Sequence, residues 1–182
     1  MQTANQIEIQ LSKSKLVLLF LGGLVFVAIG IWFIVSPPQI SNPVLGSPGK
    51  IFVVGVASIL FFGIGAFFLL KKLGDKSPGL ILSNQGIFDN ASAVSVGFIP
   101  WTDIVEIRET KVANQTFVNI IVKNPQHYID KQTSAFKKKL IQLNYNQYGT
   151  VIGISATALK CDYKELKAML DKKFDEVKNK TV

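Results

Sequence analysis

Residues 16–35 read LVLLFLGGLVFVAIGIWFIV, twenty consecutive positions without a charged side chain. A second run of the same length, IFVVGVASILFFGIGAFFLL, occupies residues 51–70. At about 1.5 Å rise per helical residue, twenty residues reach about 30 Å, the thickness of the hydrocarbon core of a bilayer. The sequence of 182 residues therefore predicts two transmembrane helices, at 16–35 and 51–70.

A cleaved signal peptide is the alternative for the first run, because Lys13 and Lys15 precede it. Signal peptides have a hydrophobic region of about 7 to 15 residues that ends at a small-residue cleavage site, whereas this run is longer and leads into Ser36-Pro37-Pro38. Prolines recur through residues 36–50 and disfavour a helix there. We predict an external loop at 36–50 that joins the two helices into a hairpin.

Lysines near the ends of the runs are distributed unevenly. Five lie on the side of the chain termini and one, Lys50, on the other; the five are Lys13, Lys15, Lys71, Lys72 and Lys76. The positive-inside rule therefore predicts cytoplasmic termini, with residues 1–14 as a cytoplasmic N-terminal segment. Neither run contains an ionisable residue, so we interpret the hairpin as an anchor and not as a transport path.

Small residues recur at helical spacing within both runs: Gly23 and Gly30 in the first, and Gly55, Ser58 and Gly65 in the second. This spacing predicts close helix packing. Packing within one hairpin and packing between two copies both satisfy it.

From residue 78 onward the pattern changes to short alternating segments, which predict a soluble α+β domain at 78–182. Antiparallel strands are expected at 80–82, 87–88, 94–98, 105–107, 117–122 and 151–154. Residues 117–122 are apolar on nearly both faces, so that strand should be central.

Helix signals follow the strands. Pro125 can open a short helix, and Ser134 can cap a longer one that ends at Gly149. In the longer helix, Phe136, Leu140 and Leu143 are predicted to share a face. A capping box at Asp162–Glu165 then predicts a C-terminal helix with this apolar stripe: Tyr163, Leu166, Leu170, Phe174 and Val177.

The segment IPWTDI, residues 99–104, lies between two predicted strands. The segment begins with Ile99, and Pro100 fixes its own φ. Trp101 and Ile104 are three residues apart, so both side chains can close the same end of a small sheet core. With NQGIFDNASAVSVGFIPW, LIQLNYNQYGT and ISATAL, this segment resembles a family of uncharacterised small bacterial two-span membrane proteins named after an enteric-bacterium locus tag. The resemblance covers almost the whole chain and implies a C-terminal pleckstrin-homology-like (PH-like) domain.

The resemblance implies a strongly bent antiparallel sheet of about seven strands, closed at one end by the C-terminal helix. It also implies a multi-pass protein of the bacterial inner membrane. Phosphoinositide-binding PH-like domains hold the headgroup with basic residues in and near the first hairpin loop. That loop corresponds here to residues 83–86, and residues 78–107 contain no Lys or Arg, so we expect this headgroup site to be absent.

Residues with catalytic or metal-binding chemistry are scarce. His127 is the only histidine and Cys161 the only cysteine, so we expect neither a zinc cluster nor a histidine-paired nucleophile. The carboxylates Asp103, Glu106 and Glu109 are interpreted as solvated surface. We predict no enzyme activity, no cofactor and no bound metal.

A run of three lysines, Lys137, Lys138 and Lys139, is the most basic segment of the domain. Two interpretations fit this lysine run: a solvated helix face, or a surface that contacts anionic lipid. The net charge of +8 is divided evenly between residues 1–77 and residues 78–182, which argues against nucleic-acid binding. We expect a membrane-anchored binding or assembly module with an unknown protein partner, or alternatively a domain that contacts membrane lipids; the oligomeric state is left open.

Alternation at the N-terminus predicts one more strand, because Ile7, Ile9 and Leu11 alternate with polar residues. A helical hairpin returns the chain to the side that it left, so residues 6–11 are expected to pair with or pack on the sheet of the domain. A disordered tail or an extra turn of helix is the alternative.

Overall fold

The computed structural model describes residues 6–39, 46–92, 94–112 and 114–180. The chain divides into two compact units, one made of Lys13–Lys76 and the other of Met1–Ser12 together with Ser77–Val182. We call the first unit the helical hairpin and the second the sheet domain. The sheet domain is therefore discontinuous in sequence.

The helical hairpin contains helix α1, Lys13–Val35, and helix α2, Pro48–Gly74. Both are long and apolar enough to cross a membrane. Both also extend beyond the predicted spans. Helix α2 begins inside the predicted 36–50 loop because the Ser47 hydroxyl caps it, accepting a hydrogen bond from the Lys50 amide at 3.3 Å. Residues 40–45 of that loop lie outside the described residues.

Glycines bring α1 and α2 into close contact. A Cβ atom on Gly30 would lie 2.8 Å from the Gly55 carbonyl oxygen, and a Cβ on Gly55 would lie 2.8 Å from the Gly30 carbonyl oxygen. Nearby, the Ser58 hydroxyl donates to the Phe26 carbonyl at 2.9 Å. The small-residue contact is thus made within one hairpin. Gly65 is not part of it, since no other atom lies within 4 Å of its Cβ position.

The start of α1 is also bonded to the end of α2. The Lys13 ammonium donates to the carbonyl oxygens of Lys72 at 3.1 Å and Leu73 at 3.0 Å, and to that of Asp75. The last carbonyl groups of a helix lack partners within the helix and carry partial negative charge, so a cation there stabilises the helix end.

We expect Gly30→Ala to destabilise the helical hairpin by about 1–3 kcal/mol, because the added methyl overlaps the Gly55 backbone. Gly22→Ala is the matched control, since nothing lies within 4 Å of its Cβ position. Unfolding in detergent, followed by circular dichroism for both variants, measures the difference. Equal stability of the two variants would contradict the glycine contact.

The sheet domain contains two antiparallel sheets among the described residues. The first has the order β1–β2–β3–β4, formed by Ile7–Ile9, Leu80–Leu82, Gly86–Asp89 and Gly97–Pro100. The second has the order β5–β6–β7, formed by Ile104–Val112, Gln115–Val122 and Ile152–Ile154. Strand β6 is central in its sheet, as its apolar sequence predicted.

Three helices complete the sheet domain: α3 at Pro125–Asp130, α4 at Ala135–Tyr148 and α5 at Tyr163–Lys180. The predicted capping box of α5 is present, with the Glu165 amide donating to the Asp162 carboxylate and the Asp162 amide to the Glu165 carboxylate, each at 2.9 Å. The predicted apolar stripe packs on the core, where Leu166 and Leu170 are fully buried.

Two strand predictions are wrong in detail. The strand expected at 94–98 starts only at Gly97, which has φ +83° and ends the preceding loop. The Val105 side chain is 57% exposed instead of facing the core with Ile107. A bulge in the pairing between Ile104 and Glu106 shifts the alternation by one residue, so Ile104 is buried and Val105 faces outward.

The N-terminal segment forms backbone hydrogen bonds with two other parts of the sheet domain, one around β2 and one at residues 158–160. Strand β1 pairs with β2, and the Gly79 amide donates to the Ile9 carbonyl at 2.8 Å. The Lys160 amide donates to the Gln10 carbonyl at 2.9 Å, and the Ser12 amide to the Ala158 carbonyl at 2.8 Å. The strand expected within residues 6–11 is therefore present and paired, and hydrogen bonds continue to Ser12, the residue before α1.

We expect Ile9→Asp to release the N-terminal segment and to destabilise the sheet domain by about 3 kcal/mol or more. The Ile9 side chain is 5% exposed, so the substitution removes apolar contacts and places a carboxylate in the core. Hydrogen exchange of the Gly79 and Lys160 amides should become fast. Glu8→Gln is the control at the neighbouring exposed position, and unchanged exchange in Ile9→Asp would refute the pairing.

Candidate functional site

A surface pocket lies between α4 and one face of the β5–β6–β7 sheet and has a volume of about 270 Å³. Its wall is made of residues from three strands, one helix, the loop after β3 and the segment before β7. The lining residues are Ser92, Val94, Thr110, Val112, Phe117, Asn119, Asn144, Tyr148, Thr150 and Gly153. We call this the α4 pocket.

Strand register brings the floor of the α4 pocket together. Thr110 pairs with Phe117 across β5 and β6, and Asn119 pairs with Gly153 across β6 and β7. Side chains two positions apart lie on the same face of a strand, so Phe117 and Asn119 point to the same side. Helix α4 supplies Tyr148 on the opposite wall.

Asn119 and Thr150 are the most buried polar residues of the α4 pocket, each with 4% of its surface exposed. The Asn119 amide faces the pocket. Its Nδ2 donates to the Thr110 hydroxyl at 2.9 Å, which fixes the amide so that Oδ1 is directed toward Gly153. A Cβ atom on Gly153 would lie 3.2 Å from that oxygen. Glycine at 153 therefore leaves the Asn119 oxygen open to the pocket.

The buried hydroxyl at the pocket edge is already fully used. Thr150 Oγ1 lies 2.7 Å from the Ile120 carbonyl and 3.1 Å from the Ile152 carbonyl, and it accepts a hydrogen bond from the Ile152 amide at 3.1 Å. This side chain fixes the start of β7 instead of facing a ligand. The side chains that line the pocket carry no formal charge at neutral pH, which limits the ligands that it can hold.

The three lysines of α4 do not form one patch. Consecutive residues of an α-helix are about 100° apart, so Lys137, Lys138 and Lys139 point in three directions. Lys138 forms an ion pair with Asp130 at 2.6 Å, and this bond, with one from Gln126, lowers the pKa of the Asp130 carboxyl. The Lys137 side chain is half-buried and that of Lys139 is exposed.

Phe136, Leu140 and Leu143, the residues predicted to share a face of α4, do not form its buried side, and Leu140 is half-buried. The exposed fractions are 63% for Phe136 and 52% for Leu143, whereas Ile141 is fully buried. Ile141 lies about 140° around the helix from Phe136, so the side that packs on the core is not the predicted one. We call Phe136, Lys139 and Leu143 the outer face of α4.

The predicted fold-signature residues lie together at the end of the first sheet. Ile99, Trp101 and Ile104 are buried and Pro100 is half-buried. The Trp101 indole N–H donates to the Ser83 carbonyl at 2.8 Å. After Trp101 the chain forms a 3-10 turn, Trp101–Asp103, as the three-residue spacing of the apolar side chains suggested.

Asp103, in the 3-10 turn, accepts a hydrogen bond from the Tyr128 hydroxyl at 2.8 Å. Burial, followed by this hydrogen bond, raises the pKa of the Tyr128 hydroxyl. The bond joins the turn to α3, so this carboxylate has a structural partner.

The β2–β3 turn, residues 83–86, receives one cation from elsewhere in the chain. The Lys173 ammonium, on α5, donates to the Asn84 side-chain oxygen at 3.0 Å and lies 3.4 Å from a Glu176 oxygen. The sequence did not predict this contact, because Lys173 and Asn84 are 89 residues apart. Because the Lys173 side chain is buried and already bonded, it holds α5 to the turn and does not form a headgroup site.

Residues with catalytic or metal-binding chemistry are spread over the sheet domain. His127 is exposed at the start of α3, whereas Cys161 is buried. Glu106 is bonded to Arg108, and Glu109 accepts a hydrogen bond from the Tyr163 hydroxyl. Within the part of the chain that the structure describes, no three His, Cys, Asp or Glu side chains come together as metal ligands.

Searches for similar proteins found no match: no protein-family model, curated protein or solved structure matches the chain.

Proposed function

We propose that this chain is a membrane-anchored binding or assembly module without catalytic activity. In this proposal the helical hairpin crosses a bacterial inner membrane, and the sheet domain, with a PH-like fold, faces the cytoplasm. Antiparallel sheets followed by a C-terminal helix that packs through Leu166 and Leu170 support the PH-like assignment. The five-to-one distribution of lysines supports the orientation.

The observation that carries the proposal is the attachment of the sheet domain at both of its connections. The Ser12 amide is bonded to the Ala158 carbonyl within the sheet domain, and α1 begins at the next residue in sequence. After α2 ends at Gly74, only residues 75–79 precede β2. Both connections therefore leave the sheet domain from its paired strands β1 and β2, which supports a role as a binding domain anchored through two chain segments.

The proposal predicts a protein partner that depends on this double attachment. Crosslinking in native bacterial membranes, followed by mild detergent extraction and mass spectrometry, should recover one partner with the unsubstituted chain and with Glu8→Gln. Recovery should fall at least about tenfold with Ile9→Asp at equal membrane abundance.

Two outcomes would refute the assembly proposal. Equal recovery with Ile9→Asp would show that the attachment is irrelevant to binding. Crosslinks only between copies of this chain, at every crosslinker concentration, would show that it has no distinct protein partner.

Contact with anionic lipid is a second candidate function, and the outer face of α4 favours it. Phe136 and Leu143 expose apolar surface on either side of the exposed Lys139, and α4 has no acidic residue. Apolar and basic side chains on one helix face are typical of elements that rest on a membrane surface. Each well-placed lysine contributes about 1 kcal/mol on an anionic surface.

An environment-sensitive dye on Gln147→Cys, on the outer side of α4, tests lipid contact in the full chain in nanodiscs. Dye emission should shift to the blue with anionic lipid, and the shift should diminish at high salt. Lys139→Glu should abolish the shift, whereas Lys138→Gln should retain it because Lys138 is directed toward Asp130. The same emission in zwitterionic and anionic nanodiscs would contradict this function.

A further inference from the structure

We propose that the α4 pocket binds an uncharged small molecule that carries an N–H or O–H donor beside an apolar ring or chain. This site lies on a different side of α4 from the outer face, and the inference does not depend on a lipid or protein partner. It rests on the volume of the pocket, the hydrogen-bonding state of its side chains and the absence of charge in its lining.

The volume suits a ligand with a single ring. A cavity of about 150 Å³ is enough to hold benzene, and about 30 Å³ is the share of one water in the liquid. The pocket, at about 270 Å³, therefore has room for a ring and one or two polar groups. Its apolar contacts come from Val94, Val112 and Phe117.

The donor requirement follows from Asn119. Its Nδ2 is bonded to Thr110, but Oδ1 accepts no hydrogen bond from any residue that the structure describes. Among the described residues no buried side-chain oxygen lacks a partner, so this oxygen is open to the pocket, where a ligand N–H or O–H placed over Gly153 would take the place of water.

The opposite wall offers a complementary set of groups. Asn144 and Tyr148 line the pocket, and neither side chain is hydrogen-bonded to another described residue. Asn144 can donate to a ligand carbonyl while Asn119 accepts from the same ligand. A primary amide attached to a ring presents both a donor and an acceptor within this space.

A charged ligand is disfavoured by the same lining. Ionised groups lose several kcal/mol on leaving water unless an opposite charge compensates them, and the lining residues supply none. Arg108, which is opposite Asn119 in the β5–β6 register, is paired with Glu106 at 2.7 Å and lies outside the lining. The pocket therefore selects against carboxylates and phosphates.

Three probes that share one ring test the proposal: benzamide, benzoate and toluene. Each is titrated into the full chain in detergent micelles, and NMR signals of the Gly153 and Asn144 amides report occupancy. Benzamide should give saturable shifts at both positions. Benzoate and toluene should bind at least about tenfold more weakly, because benzoate is charged and toluene has no donor.

Two pairs of variants test the location of binding. Gly153→Ala should weaken benzamide binding at least about tenfold, because its methyl group lies against Asn119 Oδ1, and β7 does not require glycine, since Gly153 lacks a positive φ. Asn144→Ala should also weaken binding, whereas Asn146→Ala, on the exposed side of the same helix, should not. The second pair keeps the test decisive if Gly153→Ala does not fold.

The proposal is overturned if benzoate binds as tightly as benzamide, or if toluene does. It is also overturned if benzamide gives no saturable shift at Gly153 up to its solubility limit. Benzamide affinity that is the same for Asn144→Ala and Asn146→Ala would place binding elsewhere, including in the micelle, and would equally overturn it.

Discussion

The pairing of β1 with β2 is the interaction on which the sheet domain depends. It joins two stretches of chain that are separated by the whole helical hairpin, and it gives the edge of β2 partners for its backbone groups. Ile9 and Leu11 then enter the core from the N-terminal side, where Leu11 forms a bridge with Leu159. Loss of this pairing would leave a sheet edge unpaired and remove two apolar side chains from the core, so the N-terminal segment is a structural part of the domain.

Much of the secondary structure was predictable because its signals are local. Run length alone located α1 and α2, and the cap residues Ser134, Gly149 and Asp162 marked helix ends that the structure contains. The errors arose where a local sequence pattern does not specify which other element packs against the segment. Helical spacing identified an apolar face on α4 but not that Ile141, on another side, packs on the core. The bulge at Ile104 has no clear sequence signal, because it depends on the partner strand.

The α4 pocket was not predictable, since its residues come together only through strand register and the placement of α4. Asn119 lies in the run FVNIIV, residues 117–122, and its neighbours made the run look like a uniformly apolar central strand. One polar residue inside such a run was the available signal. The three consecutive lysines suggested a single basic patch, but adjacent residues of a helix point in different directions. Lys138 is bonded to Asp130, and Lys139 is left exposed on the outer face.

The discontinuity of the sheet domain has a consequence for biosynthesis. Strand β1 is made first, yet its partner β2 follows about seventy residues later, after both long apolar helices. If both helices cross a bilayer, the chain returns to the side on which β1 lies, and β2 can pair with β1. If only one helix crosses, β1 and β2 emerge on opposite sides and β2 keeps an open, aggregation-prone edge. Completion of the sheet would then depend on insertion of both helices, and a chain with only one helix inserted would be open to proteolysis as an incompletely folded domain.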